Sequence, residues 1–342
     1  MINRYKHANI PVFIPHLGCP NQCVFCNQRT ISGVERFQPE KLDGIIEDAL
    51  ATLGDRDAEI AFFGGSFTGI GYEYMCDLLE RANRYIKDGR VVSIRVSTRP
   101  DYIDDKILEA LVRYGVRTVE LGIQSVSDRV LSASKRCHTF RDIEHACASV
   151  TGAGLSLVGQ MMIGLPSACA DDEMDTARFI ADAGASAARI YPTVVFRDTE
   201  LMYMAESGEY IPLSLSDAVE RSANALGILT SRGVEVIRIG LCSSENLRSD
   251  DTYFAGPNHP AIGELVEGEL FFRMLRDKLR ELSPSENSVV SVSVLRGAVS
   301  KAAGHGGINR KRLCDEFRIS KMIFTESGAL SGYSAAAEIR RI

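Results

Sequence analysis

The chain has 342 residues, 45% of them apolar and 25% charged, with a net charge of −6. That composition is expected of a soluble globular protein large enough for one α/β barrel plus a small appendage. It excludes a membrane span, because no run reaches about 18 apolar residues, and it excludes a surface that coats nucleic acid throughout. Nine cysteines in a chain of this size are not a disulfide framework, and the N-terminus lacks the apolar core of a secretory signal. A reducing, cytoplasmic setting is therefore expected.

Asn9 to Ile14 reads as a short strand that runs straight into a loop holding Cys19, Cys23 and Cys26, spaced C-x3-C-x2-C. Three thiolates this close suit a metal. Four would close the coordination of zinc or of a [4Fe–4S] cube, whereas three leave one iron open to a ligand that is not protein. A zinc knuckle with His16 as fourth ligand is the competing reading.

From there strands and helices alternate. Helix periodicity marks Glu40 to Leu53, Met75 to Ile86, Ile103 to Val112, Arg141 to Val150, Asp171 to Ala183 and Ser216 to Ser231. Between them lie nearly continuous apolar runs of strand length at 59–63, 91–96, 116–121, 155–163, 187–195 and 234–239, as expected for strands buried on both faces. Six strand–helix units and one further strand predict a parallel sheet curled into a partial (βα)6 TIM-like barrel.

In such barrels the chemistry sits at the C-terminal ends of the strands. Here those ends carry the cysteine loop, Gly64-Gly65-Ser66, Ser97-Thr98-Arg99, Gly122-Ile123-Gln124, Gly164-Leu165-Pro166 and Tyr191-Pro192-Thr193. Gly64 and Gly65 let backbone approach a ligand. Ser97 and Gln124 can hydrogen-bond a ribose, and Arg99 and Arg189 can each fork onto a carboxylate or form a surface ion pair. Met161, Met162 and Ile163 can wall an adenine or pack the core. Glu120, beside Val119 in a strand, is either an arginine partner or a ligand contact. Cys76 and Cys147 on helix faces read as inert thiols; Cys137 and Cys242 lie near strand ends.

The three-cysteine loop, with Phe25 before the last cysteine, resembles the radical S-adenosylmethionine (SAM) superfamily. The stretches at 9–31, 62–67, 97–102, 119–125, 188–193 and 256–266 look like the radical SAM half of the Elongator catalytic subunit, and closer still like short bacterial relatives without an acetyltransferase domain. The resemblance implies a [4Fe–4S] cluster on Cys19, Cys23 and Cys26, with SAM on the open iron. It places Phe25, Gly64, Gly65, Ser66, Ser97, Arg99, Gln124 and Arg189 around SAM. It also implies a flavodoxin- or ferredoxin-like electron donor and radical chemistry on tRNA. Three departures stand out: a shorter cysteine spacing, no acetyltransferase domain, and Cys137 in Arg136-Cys-His-Thr139 where glycine is expected. A small metabolite or tetrapyrrole, as in the related oxygen-independent coproporphyrinogen oxidases, is the alternative substrate; a zinc-stapled RNA-binding protein is the non-enzymatic alternative.

The expected division is a barrel domain over 1–272, a polar linker over 273–287 and a small α/β element over 288–342. In that element, a strand at 288–295, a helix to Ala303, the turn Gly304-His-Gly-Gly307, a helix through Phe317 and a strand at 322–325 resemble the core of the KH RNA-binding module. The element carries a local charge of +5, so Gly304, Gly307 and Lys311 are its candidate RNA contacts. Residues 331–342 are expected to fray.

Overall fold

The computed structural model describes residues 8–14, 17–19, 23–27, 37–54, 56–241 and 251–340. Seven parallel strands form one sheet: β1 (Ala8–Ile14), β2 (Ala58–Gly64), β3 (Ser93–Thr98), β4 (Val116–Gln124), β5 (Ser156–Ile163), β6 (Ala187–Pro192) and β8 (Glu235–Ile239). They pair in that order, and β1 does not meet β8, so the sheet curls without closing. The partial barrel read from the alternation is what forms. The predicted strand over 187–195 stops at Pro192, and β7 (Val195–Phe196) pairs separately with β9 (Tyr253–Ala255).

The helices α1 (Leu42–Leu53), α2 (Tyr72–Lys87), α3 (Asp105–Arg113), α4 (Asp128–Ala133), α5 (Phe140–Gly152), α6 (Ala170–Asp182), α7 (Glu200–Glu206) and α8 (Leu215–Ser231) accompany the sheet. The main core includes Ile10, Val12, Ile60, Phe62, Ile94, Val96, Val119, Leu121, Met161 and Ile163 on the strands. Leu78, Leu111, Ile143, Ile180 and Leu226 meet them from the helices. Alternation along each strand turns the intervening residues to the barrel interior, and there the character changes. Glu59, Arg95, Glu120, Gln160 and Arg189 form one polar layer.

Helix α9 (Ile262–Leu282) runs unbroken past residue 272, so 273–282 is helix and not linker. Its Phe271, Phe272, Leu275 and Leu279 are buried with Val290, Val292, Leu313 and Met322 in a second core. Apolar residues at helical spacing draw this half of the helix into the C-terminal element; the polar residues between them face outward. That element contains β10 (Val289–Leu295), α10 (Val299–Ala303), α11 (Ile308–Phe317) and β11 (Lys321–Ser327). Residues 335–340, expected to fray, instead form β12 (Ala335–Arg340), antiparallel to β10, while β11 pairs with β10 in parallel. No helix among the described residues is long and apolar enough to cross a membrane.

Candidate functional site

The cysteine loop is seated by backbone on backbone. Gly65 N–H donates to the Ile14 carbonyl at 2.9 Å and Ser66 N–H to the Leu17 carbonyl at 3.2 Å. A Cβ on Gly65 would overlap the Leu17 carbonyl oxygen, and a Cβ on Gly18 the Ser66 carbonyl oxygen. The expectation was that this glycine pair makes room for a ligand. In the structure the room at Gly65 goes to the chain leading into Cys19, and at Gly64 a Cβ would stand 2.7 Å from the Ile14 carbonyl oxygen. Ser66 is fully buried; its Oγ meets Thr98 Oγ1 at 2.7 Å and accepts the Arg99 N–H at 3.1 Å, so it braces the neighbouring strand end.

The far side of the loop is held by segments that the helix periodicities passed over. Val24 N–H donates to Ser134 O just after α4, and Leu201 N–H at the start of α7 donates to Val24 O at 2.9 Å. Phe25 packs with Leu201, Met202 and Tyr210 in a small apolar cluster. Cys23 is buried and Cys19 and Cys26 are half-buried. His16, the alternative zinc ligand, and Cys242 lie outside the described residues.

Two arginines flank the thiols. Arg99 is buried and forks onto Asp101, with Nε–Oδ1 at 2.9 Å and Nη2–Oδ2 at 2.7 Å, and its Nη1 has no partner among the described residues. Burial works against its charge, but the fork, helped by nearby Cys19 and Cys23, holds the guanidinium more firmly protonated than usual. Burial also opposes the Asp101 charge; His138 and Arg99 overcome it and hold the carboxyl well below its ordinary range. Arg136 donates from Nη1 to Cys23 Sγ at 3.3 Å and from Nη2 to the Gly122 carbonyl at 2.7 Å. His138, with no exposed side-chain surface, is pushed below the usual imidazole value by burial and by the Arg136 and Arg99 charges, against Asp101.

Gln124 sits at the end of β4 with φ of 65°, in the left-handed region, where the β4–β5 register shifts. Such strain in a non-glycine residue is retained where its surroundings impose it, and it clusters at functional sites. The Gln124 Oε1 is buried without a partner among the described residues. Ser97 sits lower in the interior, 3.4 Å from Gln160 Nε2.

Glu120 is fully buried and is an arginine partner. Arg95 Nη1 reaches Oε1 at 2.9 Å; Arg189 forks onto both oxygens at 2.9 Å; Gln160 Nε2 donates to Oε2 at 2.8 Å. The Arg189 fork is thus spent inside the barrel, not on the surface. Burial opposes the Arg189 charge, while Tyr191 and Glu120 raise its basicity above the ordinary value; burial also raises the Tyr191 phenol. Met161 and Ile163 belong to the helix-side core, and Met162 is half-buried on the other face. Cys147 is inert, its thiol pushed up to about 12 by burial.

The sequence alone assigns no role to Arg95, Asp101, Arg136, His138 or Gln160. Their signal was present as polar residues inside apolar strands, at Arg95 and Gln160, and as the Arg136-x-His138 pair in the loop after α4. Partners for them could not be assigned without the register.

In the C-terminal element the Gly304 and Gly307 N–H groups donate to Lys301 O and Gly304 O within the turn. Gly304 packs against Asn309, which anchors the turn by donating to Gly268 O at 2.7 Å. Lys311 is exposed; Arg310, also exposed, lies over the Phe324 ring.

The donor set suits the implied groups. Three thiols on one loop, with Arg136 bonded to one of them and the Arg99–Asp101 pair close by, fit an iron–sulfur cluster better than a closed zinc site. The unpartnered Arg99 Nη1 and Gln124 Oε1 beside them fit a polar ligand with a carboxylate and hydroxyls. Coordination would draw the sulfurs together, because no three His, Cys, Asp or Glu side chains among the described residues are already grouped to hold a metal.

Comparison with known proteins supports this assignment. Residues 13–180 match the radical SAM superfamily, and residues 185–271 match the radical SAM C-terminal domain. A tRNA uridine(34) acetyltransferase of Methanocaldococcus jannaschii is 30% identical over 193 residues, covering 50% of this chain and 35% of that one. Elongator complex protein 3 of Saccharomyces cerevisiae is 26% identical over 254 residues, covering 65% of this chain and 45% of that one. The chain therefore spans less than half the length of either relative. The solved structure of Methanocaldococcus infernus Elp3 lacking residues 1–46 shares the fold, with a TM-score of 0.63 at 23% identity, over 77% of this chain and 62% of that one. The cysteine loop at the mouth of an open parallel barrel and the two matched domains lead to one conclusion: the chain belongs to the radical SAM superfamily, in the branch that resembles the Elongator catalytic subunit.

Proposed function

We propose that this chain is a radical SAM enzyme acting on RNA, with tRNA as the substrate class. Cys19, Cys23 and Cys26 would hold a [4Fe–4S] cluster, and SAM would take the open iron. When bound, these groups supply reductive cleavage of SAM to methionine and a 5′-deoxyadenosyl radical that takes hydrogen from the substrate. A flavodoxin- or ferredoxin-like protein would supply the electron. The observation that carries the reading is the buried, unpartnered Arg99 Nη1 beside the thiol loop. A buried donor left unsatisfied is costly, and a carboxylate is the group it suits best.

The other residues orient and enclose. Asp101 fixes the Arg99 fork, leaving Nη1 to the ligand. Gln124 offers Oε1 to a ribose hydroxyl, with Ser97 below it. Phe25 and Met162 would line the adenine. Gly64, Gly65 and Ser66 seat the loop, and the Glu120 layer holds Arg189 rigid beneath it.

The tRNA assignment is supported by the likeness to an archaeal tRNA uridine(34) acetyltransferase and by the local positive charge of residues 288–342. Since the Gly304 and Gly307 amides are spent within the turn, these glycines would shape the surface and exposed Lys311 would meet phosphate. Lys311→Ala should weaken tRNA binding across sequences and reduce the salt-dependence slope of a gel-shift titration by about 1.

The reading is tested by anaerobic incubation of reconstituted protein with SAM and dithionite, following 5′-deoxyadenosine with and without tRNA. Release that rises with tRNA supports it. A loaded cluster that releases none overturns the enzyme assignment, and a rise with coproporphyrinogen instead of tRNA moves the substrate to tetrapyrroles.

A further inference from the structure

We propose that Arg136 tunes the reduction potential of the cluster that Cys23 would help to hold. The inference rests on the radical SAM reading of the thiol loop and adds a role for a residue outside it. Three observations carry it. Arg136 Nη1 donates to Cys23 Sγ at 3.3 Å. Its Nη2 is fixed on the Gly122 carbonyl at 2.7 Å, and its own backbone N–H is fixed on Leu131 O at 2.9 Å. The same segment holds the loop from behind, through the Val24 N–H to Ser134 O bond. The guanidinium is thus held between the Gly122 carbonyl and the sulfur of a buried cysteine, on a backbone that is itself fixed.

The two flanking arginines are not equivalent. The Arg99 charge is offset by its fork onto Asp101. Among the described residues no carboxylate pairs with Arg136; its bonded nitrogens face a sulfur and a carbonyl, so its positive charge falls on the thiolate side. Hydrogen bonds to ligand sulfurs, net charge and burial set the potentials of iron–sulfur clusters. A reduced cluster carries one more negative charge than the oxidised one, so a fixed cation with an N–H aimed at its sulfur favours the reduced form. One electron from a low-potential donor enters the cluster; Arg136 keeps its protons, since guanidinium does not deprotonate in proteins, and forms no covalent bond. Arg136 is a positioning residue that acts through Cys23.

The test is an anaerobic redox titration of the reconstituted full chain, wild type against Arg136→Met and Arg136→Lys, with iron and sulfide counted in each. With equal iron, Arg136→Met should titrate at a more negative midpoint. A tenfold weakening of the reduction equilibrium corresponds to about 59 mV for a one-electron couple. Arg136→Lys, which keeps the charge without the fork, should fall between. An Arg136→Met midpoint equal to wild type overturns the inference and leaves the enzyme assignment intact. If that variant does not retain iron, Arg136→Gln is read by the same criterion. A wild-type chain that takes up no cluster overturns both.

Discussion

Glu120→Gln should cost about 3–5 kcal/mol of folding stability, read as a fall in the denaturant midpoint with little change in slope. The carboxylate is fully buried and accepts from Arg95, Arg189 and Gln160. A neutral amide of the same shape would leave two guanidiniums facing each other across β3, β4 and β6, with only Glu59 to balance Arg95. A surface ion pair would contribute at most about 1 kcal/mol. The size of the loss therefore separates an interior layer that organises the barrel from a solvated charge pair. A midpoint unchanged in Glu120→Gln would mean that water already satisfies this layer.

Gly65→Ala should cut cluster content and lower SAM cleavage by about 10²-fold, the scale expected when a catalytic group is misplaced by about 1 Å. The added methyl meets the Leu17 carbonyl, which is backbone and cannot rotate aside, so the approach to Cys19 must shift. Overpacking of this kind costs about 1–3 kcal/mol, so the fold should survive. Gly44→Ala, in α1 with nothing within 4 Å of the added methyl, serves as the control and should leave cluster content unchanged. Equal cluster content in Gly65→Ala and wild type would show that the close approach does not set the loop.

The parts of the fold legible in the chain are those whose burial leaves a local pattern. Runs such as Ile60 to Phe63 and Leu157 to Ile163, the latter broken only at Gln160, read as nearly continuous apolar strands, and their number and alternation imply an open barrel. The helices between them repeat apolar residues at helical spacing. Segments stabilised by what they touch were not legible. β12 is made of small and polar residues and is a strand because β10 lies beside it. α7 is seven residues long, too short for a full periodic repeat, yet it clasps the cysteine loop. The charged outward face of α9 hides that residues 273–282 pack into the second core through Leu275 and Leu279.

The site divides the same way. Cys19, Cys23, Cys26 and the strand-end residues could be named from spacing and position. That Glu120 holds Arg189 depends on strand register, and that Arg136 reaches Cys23 across 113 positions depends on how two loops meet. The register shifts at Arg95, at Gln124 and between Ala188 and Arg189. Bulges re-aim side chains in this way, and no local pattern records them.

If three cysteines hold a cluster with one iron left for SAM, electron paramagnetic resonance of the anaerobically reconstituted, dithionite-reduced chain, recorded before and after SAM is added, should show a [4Fe–4S] signal that changes shape on SAM binding and is lost in Cys23→Ala. A colourless zinc protein, or a cluster signal that SAM leaves untouched, would contradict that assignment.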